Sequence, residues 1–392
     1  MSVSAATLTP GSAPLRRARW ATRVQFMVLG VFSGAWGAHI PSVTARYGLD
    51  EATLAVVLLT AALGSIGALL FAGRAVGRLG TRNAALCAGL VMTTALALAL
   101  QMPNLAALLP VAFCLGVGMS VFDVAINSEG SELEHLSGRA IMSNLHGMFS
   151  VGGMVGAALV AGLLRAGVAA PLQLLAVNAA LALTVAAGTR GMLERRAAAD
   201  MGGGENAHFA WPRGLLLVIG LLILSGMIAE GVMYDWCVLY LKQEVGMPQA
   251  QAALGYAAFA GAMAVSRFAG DWLRERFSEL ALLRAGAAMA AVAMAVVLLA
   301  GTPGVAIFGF ALVGAGLAPV APILFNAATR VPGVSRAAAI ASVTSVGYAG
   351  FMIGPPLVGG LARASSLTVA LGVVVLSAAL LAFSARFVPA RN

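Results

Sequence analysis

Twelve stretches of about twenty mostly apolar residues follow one another along this chain. They begin near Ala21, Glu51, Asn83, Leu105, Arg139 and Pro171, and again near Gly214, Gln249, Leu280, Val305, Arg336 and Leu367. A helix needs roughly 20 apolar residues to cross a hydrocarbon layer. Strands of a membrane barrel would instead be about ten residues long with alternating polarity. The pattern therefore predicts an all-α membrane protein with twelve transmembrane helices.

Composition closes the soluble alternative. Of 392 residues, 60% are hydrophobic and 10% charged, against about 25% charged in an ordinary soluble domain. Too few charges remain to coat a water-facing surface. No apolar segment with a cleavage site precedes the first long run, so no cleaved signal is expected. Cys87, Cys114 and Cys237 lie far apart inside apolar stretches and read as small core residues, with neither metal-ligand nor disulfide spacing.

A polar, glycine-rich interruption divides the segments six and six. The reading is a cytoplasmic tail over 1–20, a six-helix bundle over 21–189, a cytoplasmic linker over 190–213, a second bundle over 214–386 and a short tail over 387–392. A shift of about 198 residues superposes Gly48 on Gly246, Gly116 on Gly314, Gly118 on Gly316, Ser137 on Ser335, Gly152 on Gly350 and Gly156 on Gly354. With one residue of slippage, Phe71-Ala72-Gly73 falls on Phe268-Ala269-Gly270. The halves read as a duplicated unit, an arrangement in which transporters place the substrate between two pseudo-symmetric bundles.

The formal net charge of +9 raises the question of nucleic acid, and the position of the cations answers it. With the amino terminus inside, 20 of the 24 Lys and Arg fall in cytoplasmic segments, leaving Arg46, Arg165, Lys242 and Arg363 outside. This positive-inside bias places both termini and the linker in the cytoplasm. It makes anionic lipid the partner of the charge and argues against nucleic acid.

Ionisable groups in hydrocarbon are costly and mark pathways or pairs, so the buried acids are the leading candidates. Asp123 lies in the fourth segment, with Asn127 one turn further on the same face. In the seventh, Glu230 shares a face with Tyr234, while Asp235 is turned about 140° away. Asp123 and Glu230 are candidates for proton or substrate binding, and Asp235 for a weaker version of that role near the mouth. His39 in the first segment and His146 in the fifth are candidates to face the pore, and Asn326 and Tyr348 to line it. Trp36 and Tyr234 are equivalent under the 198-residue shift, and aromatics with a polar tip suit sugar-like or amphipathic ligands. Glu129, Glu132, Glu134 and His135 read as a solvated loop after the fourth segment. Gly-x-Ser-x-Gly, Walker-type, His-Glu-x-x-His and Cys-x-x-Cys motifs are absent, so an enzyme or ATP-driven pump is not expected, nor a cofactor or metal.

Over essentially the whole chain this pattern resembles the major facilitator superfamily. The run from Gly73 to Arg82 looks like the family's Gly-x-x-x-Asp-Arg-x-Gly-Arg-Arg loop, with Gly77 where an acid is usual. Its counterpart from Arg267 to Arg276 keeps Asp271. The resemblance implies gating roles for Arg78, Arg267 and Asp271, with Arg267 and Asp271 expected to act in gating and not in substrate contact. Asp123-x-x-x-Asn127 is similar to a motif of the fucose-permease-like sugar:proton symporters, although the first segment carries His39 and no acid. Gly152-Gly153-Met154-Val155-Gly156-Ala157 has the glycines of the drug antiporters without the proline, which tilts against efflux. The expectation is a monomeric secondary transporter of the bacterial inner membrane, moving a small polar solute with protons. A proton-coupled efflux antiporter is the alternative, and a non-transporting receptor a lesser one.

Overall fold

The computed structural model describes residues 12–139, 141–193 and 213–388. The linker residues Glu194, Arg195, Arg196, Asp200 and Glu205 lie outside them. Six helices make the first half: α1 (Ala13–Tyr47), α2 (Glu51–Leu79), α3 (Thr81–Leu98), α4 (Leu105–Ser137), α5 (Met142–Arg165) and α6 (Ala170–Thr189). The second half holds α7 (Leu215–Gln243), α8 (Gln249–Phe268), α9 (Gly270–Arg276), α10 (Glu279–Ala300), α11 (Pro303–Leu317), α12 (Val320–Ala328), α13 (Arg336–Ala364), α14 (Leu367–Ala370) and α15 (Gly372–Ser384). Among the described residues, eleven helical segments are long and apolar enough to cross a membrane, with α11 and α12 counted as one and α14 running on into α15. Helix α8, diluted by Gln249, Gln251 and Arg267, is the twelfth long segment. All twelve predicted segments are therefore helical, as lipid requires of backbone that must satisfy its own hydrogen bonds.

Several helices run well beyond the hydrocarbon core. Helix α4 has 33 residues, or roughly 50 Å at 1.5 Å per residue, against about 30 Å of hydrocarbon. This corrects the reading of Glu129 to His135 as a loop, since the helix continues to Ser137 and stops only at Gly138, in the left-handed conformation (φ 62°). The glycine-and-arginine loops are also mostly helical. Helix α2 runs through Leu79, and Gly80 alone separates it from α3, while Gly270 to Arg276 is helix α9. The cysteines correct the expectation in part: Cys237 is buried, but Cys87 and Cys114 are exposed on helices that lipid would cover.

The duplication is visible in the packing. A Cβ placed on Gly116 of α4 would fall into the Ala61 carbonyl of α2, and one on Gly314 of α11 into the Phe259 carbonyl of α8. Ala61 and Phe259 differ by the same 198 residues as the glycines. Gly118 lies against Ala88 and Met92 of α3, and Gly316 against Gly286 and Ala290 of α10, again at that offset. Gly152 meets α1 through Met27 and Gly30, and Gly350 meets α7 through Leu224, Met227 and Ile228. Small residues at these crossings let backbones approach closely, so the glycine register repeats because the helix crossings repeat.

Between the halves, α5 packs on α8 and α2 on α13, with α1 also touching α7 and α8. The α5–α8 contact includes the Ser143 hydroxyl donating to the Arg267 carbonyl at 3.1 Å, at the arginine-rich end. At the opposite end Gly359 of α13 lies against Glu51 and Ala55 of α2. The halves therefore touch at both ends.

The crossings make a paired prediction. Gly116→Ala and Gly314→Ala should each destabilise by about 1–3 kcal/mol through overpacking. Gly162→Ala and Gly360→Ala, another pair at the same offset and open to space, should leave the apparent Tm of the purified protein unchanged or raised.

Candidate functional site

Between α5, α7 and α8 a cluster of polar side chains bridges the two halves. Glu230, in the middle of α7, accepts from Arg267 Nη2 at 3.3 Å and from the Tyr234 hydroxyl at 3.1 Å. The i, i+4 spacing on one helix face brings Tyr234 to Glu230. Arg267 reaches this site from the last turn of α8, because a long stem carries its guanidinium inward. Its other terminal nitrogen donates to Ser150 Oγ of α5 at 2.7 Å and to the His146 carbonyl at 3.4 Å. One guanidinium thus joins an acid of the second half to a hydroxyl and a carbonyl of the first. Neither side chain of the ion pair is more than 15% exposed, so each charge depends on the other.

Aromatic rings wall the cluster. Tyr234 packs edge-on to Phe149 of α5 at 6.3 Å and to Phe259 of α8 at 5.3 Å, and tilted against Tyr256 at 5.5 Å. The Tyr256 hydroxyl is buried without a hydrogen-bond partner. Helix α1 approaches at Gly37, where a Cβ would sit 2.5 Å from the Tyr256 ring and 2.8 Å from the Tyr234 carbonyl. Half-buried Trp36 is the residue before it. Only a glycine lets the first half close on the second at this height.

The other sequence candidates are distributed. Asp123 is partly buried on α4, and its Oδ1 and backbone carbonyl both accept from Asn127 Nδ2 at 2.9 Å. That pairing is within one helix and holds no counter-ion. His146 is partly buried, with its ring edge-on to Phe26 of α1 at 5.3 Å. His39 is fully buried. Its Nδ1 lies 3.2 Å from Ser42 Oγ, and Ser42 Oγ accepts from Gln249 Nε2 of α8 at 2.7 Å. Gln249 also donates to the Ala38 carbonyl at 2.9 Å, so His39 backs a contact between the halves at the end away from the arginines.

Asp235 turns from the cluster toward α13 and lines a separate small cavity. Asn326 is exposed and donates to Glu279, which also pairs with Arg330 at 2.7 Å, so it belongs to an ion-pair cluster at the arginine-rich end and not to the site. Arg78 is exposed on the last turn of α2. The backbones of Asp271 and Tyr348 lie in α9 and α13, and their side chains are outside the described residues.

Three residues here were not among the candidates. Glu129 is 1% exposed and accepts from Thr81 Oγ1 at 2.5 Å and from the Leu193 amide at 2.7 Å, tying α3 and the end of α6 to α4. The apolar Leu133 and Leu136 within that acidic stretch are the signal that the helix continues there. Ser150, one turn after His146, could have been found as its helical neighbour. Gln249 carries no such signal.

Residues 21–346 and 238–392 match the Major Facilitator Superfamily. An uncharacterized MFS-type transporter of Yersinia pestis is 36% identical over 370 residues, covering 94% of each chain. The uncharacterized transporter y4wD of Sinorhizobium fredii is 31% identical, over 91% of this chain and 94% of that one. Among solved structures, a D-xylose-proton symporter superposes with a TM-score of 0.75 at 14% identity, over 96% of this chain and 98% of the other. The nucleoside transporter NupG gives 0.74 at 13%, over 95% and 99%. The E. coli fucose:proton symporter gives 0.61 at 16%, over 94% and 97%. A many-spanning membrane protein with helices that repeat across two halves, this chain belongs to the major facilitator superfamily of secondary transporters.

Proposed function

We propose that the chain is a proton-coupled symporter of a small polar, sugar-like solute, which binds between the halves at the Glu230–Arg267 cluster. The observation that carries this reading is the bridging guanidinium, which holds Glu230 on one side and Ser150 with the His146 carbonyl on the other. A solute with hydroxyls can replace each of these contacts in turn, because the cluster offers a carboxylate acceptor, guanidinium donors and hydroxyls that do both. The aromatic wall of Tyr234, Phe149 and Tyr256 suits the apolar face of a sugar-like ring. The solved structures that share the fold, a xylose-proton symporter, a fucose:proton symporter and a nucleoside transporter, support this reading.

Asp123 and Glu230 are the acids assigned to coupling. A proton arriving at Glu230 cancels its attraction for Arg267, and the guanidinium then has only α5 to hold. Competition between proton, solute and Arg267 for one carboxylate links binding to separation of α5 from α8. The rocking units are residues 21–189 and 214–386, with the linker over 190–213 and both tails in the cytoplasm of a bacterial inner membrane. The arginine-rich end faces anionic lipid, and the protein works as a monomer. An efflux antiporter would use the same acids, and flux direction in everted vesicles separates the two.

The test is transport in reconstituted proteoliposomes with D-xylose, L-fucose and uridine as probes, chosen after a thermal-shift screen. Asp123→Asn should abolish pH-gradient-driven accumulation while counterflow exchange persists. Undiminished accumulation would remove Asp123 from the mechanism.

Breaking the ion pair gives a second expectation. Arg267→Ala should lose about 3–5 kcal/mol by leaving a buried charge alone, while the double variant Glu230→Gln, Arg267→Ala should recover much of that stability. Apparent Tm of the purified proteins reads both.

A further inference from the structure

Helix α7 carries a second acid in surroundings of another kind. Asp235 faces α13 and lines a small cavity with Ile228, Gly231, Trp236, Gly350 and Pro355. No hydrogen bond or ion pair reaches its carboxylate among the described residues, in contrast to Glu230 with its guanidinium. Beside it Trp236 is fully buried, and its indole N–H has no partner.

Among the described residues, the wall opposite supplies nothing to neutralise a charge. Gly350 and Gly354 have no side chains, and Pro355 and Pro356 bring no backbone N–H. Cys237 on the same helix and Tyr256 on α8 are the titratable groups near enough to feel the Asp235 charge. Neither is a cation. The lining residues of α13 include no titratable group, and the Tyr348 side chain lies outside the described residues.

A carboxylate held in hydrocarbon without a counter-ion is costly, so the pocket calls for a positive ligand. A hard metal cation takes about six oxygen ligands, and Asp235 is the only lining residue with a side-chain oxygen among the described residues. The neighbouring indole N–H, a donor, would further repel a cation. A proton needs one carboxylate and no cage.

We propose that the Asp235 pocket between α7 and α13 is a proton-binding site separate from the Glu230–Arg267 cluster. Protonated, Asp235 is neutral and can donate to a carbonyl of the adjoining helical turn. Ionised, it requires water in the cavity, which the side-chain-poor face of α13 admits by moving aside. Use of this proton in coupling rests on the symport reading above, whereas its binding does not.

Dicyclohexylcarbodiimide, an apolar reagent that attacks protonated carboxyls, tests the site on the full chain in lipid nanodiscs, with the adduct mapped by fragmentation mass spectrometry. The expected result is an adduct on Asp235 whose rate of formation falls about tenfold per pH unit once the group ionises. It should be missing at position 235 in Asp235→Asn. Should that variant not fold, Asp235→Glu keeps a carboxyl there and must label with the same pH trend. An unlabelled Asp235 at every pH, or a rate independent of pH, overturns the proposal. The measurement needs no solute, so failure of Asp123 or Glu230 in transport leaves it standing, and its own failure leaves the transport reading intact.

Discussion

Hydrocarbon tolerates no unpaired charge and no unsatisfied backbone, and most of this molecule follows from that constraint. It imposes helices throughout. It also forces each ionisable group placed within the spans to find a partner or a purpose. Arg267 finds Glu230 and the α5 acceptors. Asp123 finds only the amide of Asn127, and Asp235 only a cavity. The gradient from fully paired to unpaired separates three acids that composition alone treats alike.

The same constraint explains the glycines. Without a hydrophobic drive between helices in lipid, association depends on close packing, and the repeated crossings at Gly116 and Gly314 or Gly118 and Gly316 provide it. Because equivalent glycines meet equivalent neighbours, each half is braced internally in the same way. The contacts between the halves are different in character. Glycines let the halves close on each other too, at Gly37 and Gly359, but polar bonds cross there as well: at one end a guanidinium holds α5, and at the other a glutamine holds α1. Bonds of that kind can exchange for bonds to a solute or to water, whereas backbone packed on backbone cannot.

The segments and the duplication are legible in the sequence because apolar length and glycine register are local or periodic signals. Helix ends were harder. Glu129 reads as loop in the sequence because acids cluster after Ile126, yet the helix runs on and buries that carboxylate against Thr81 and Leu193. Partners across the interface were not legible. Arg267 belongs by motif to the loop with Asp271, but its reach to Glu230 depends on how α8 lies against α7. Gln249 reads as an ordinary polar residue at the start of a span, and only the fold brings it to Ala38 and Ser42. Asn326 reads as a pore-lining residue for the same reason, since only the fold sets Glu279 of α10 beside it and Arg330.

The two acids of α7 show how one helix can serve two tasks. Five residues of α-helix turn Asp235 about 140° from Glu230, enough to put one against α8 and the other against α13. Helix α8 meets the first half through α5 and, by Gln249 at its start, through α1, while α13 meets it through α2. The Arg267 and Ser143 bonds of the α5–α8 contact mark the arginine-rich end, and Gly359 against Glu51 marks the other. In the proposed scheme, a change of charge at Glu230 acts on the α5–α8 contact, and a change at Asp235 acts on the helix that packs on α2. A rocking transporter must loosen its two ends alternately and never together. Two carboxyl groups on a single helix, one against the guanidinium that bonds to α5 and one against the helix that packs on α2, give that alternation a physical basis in this scheme.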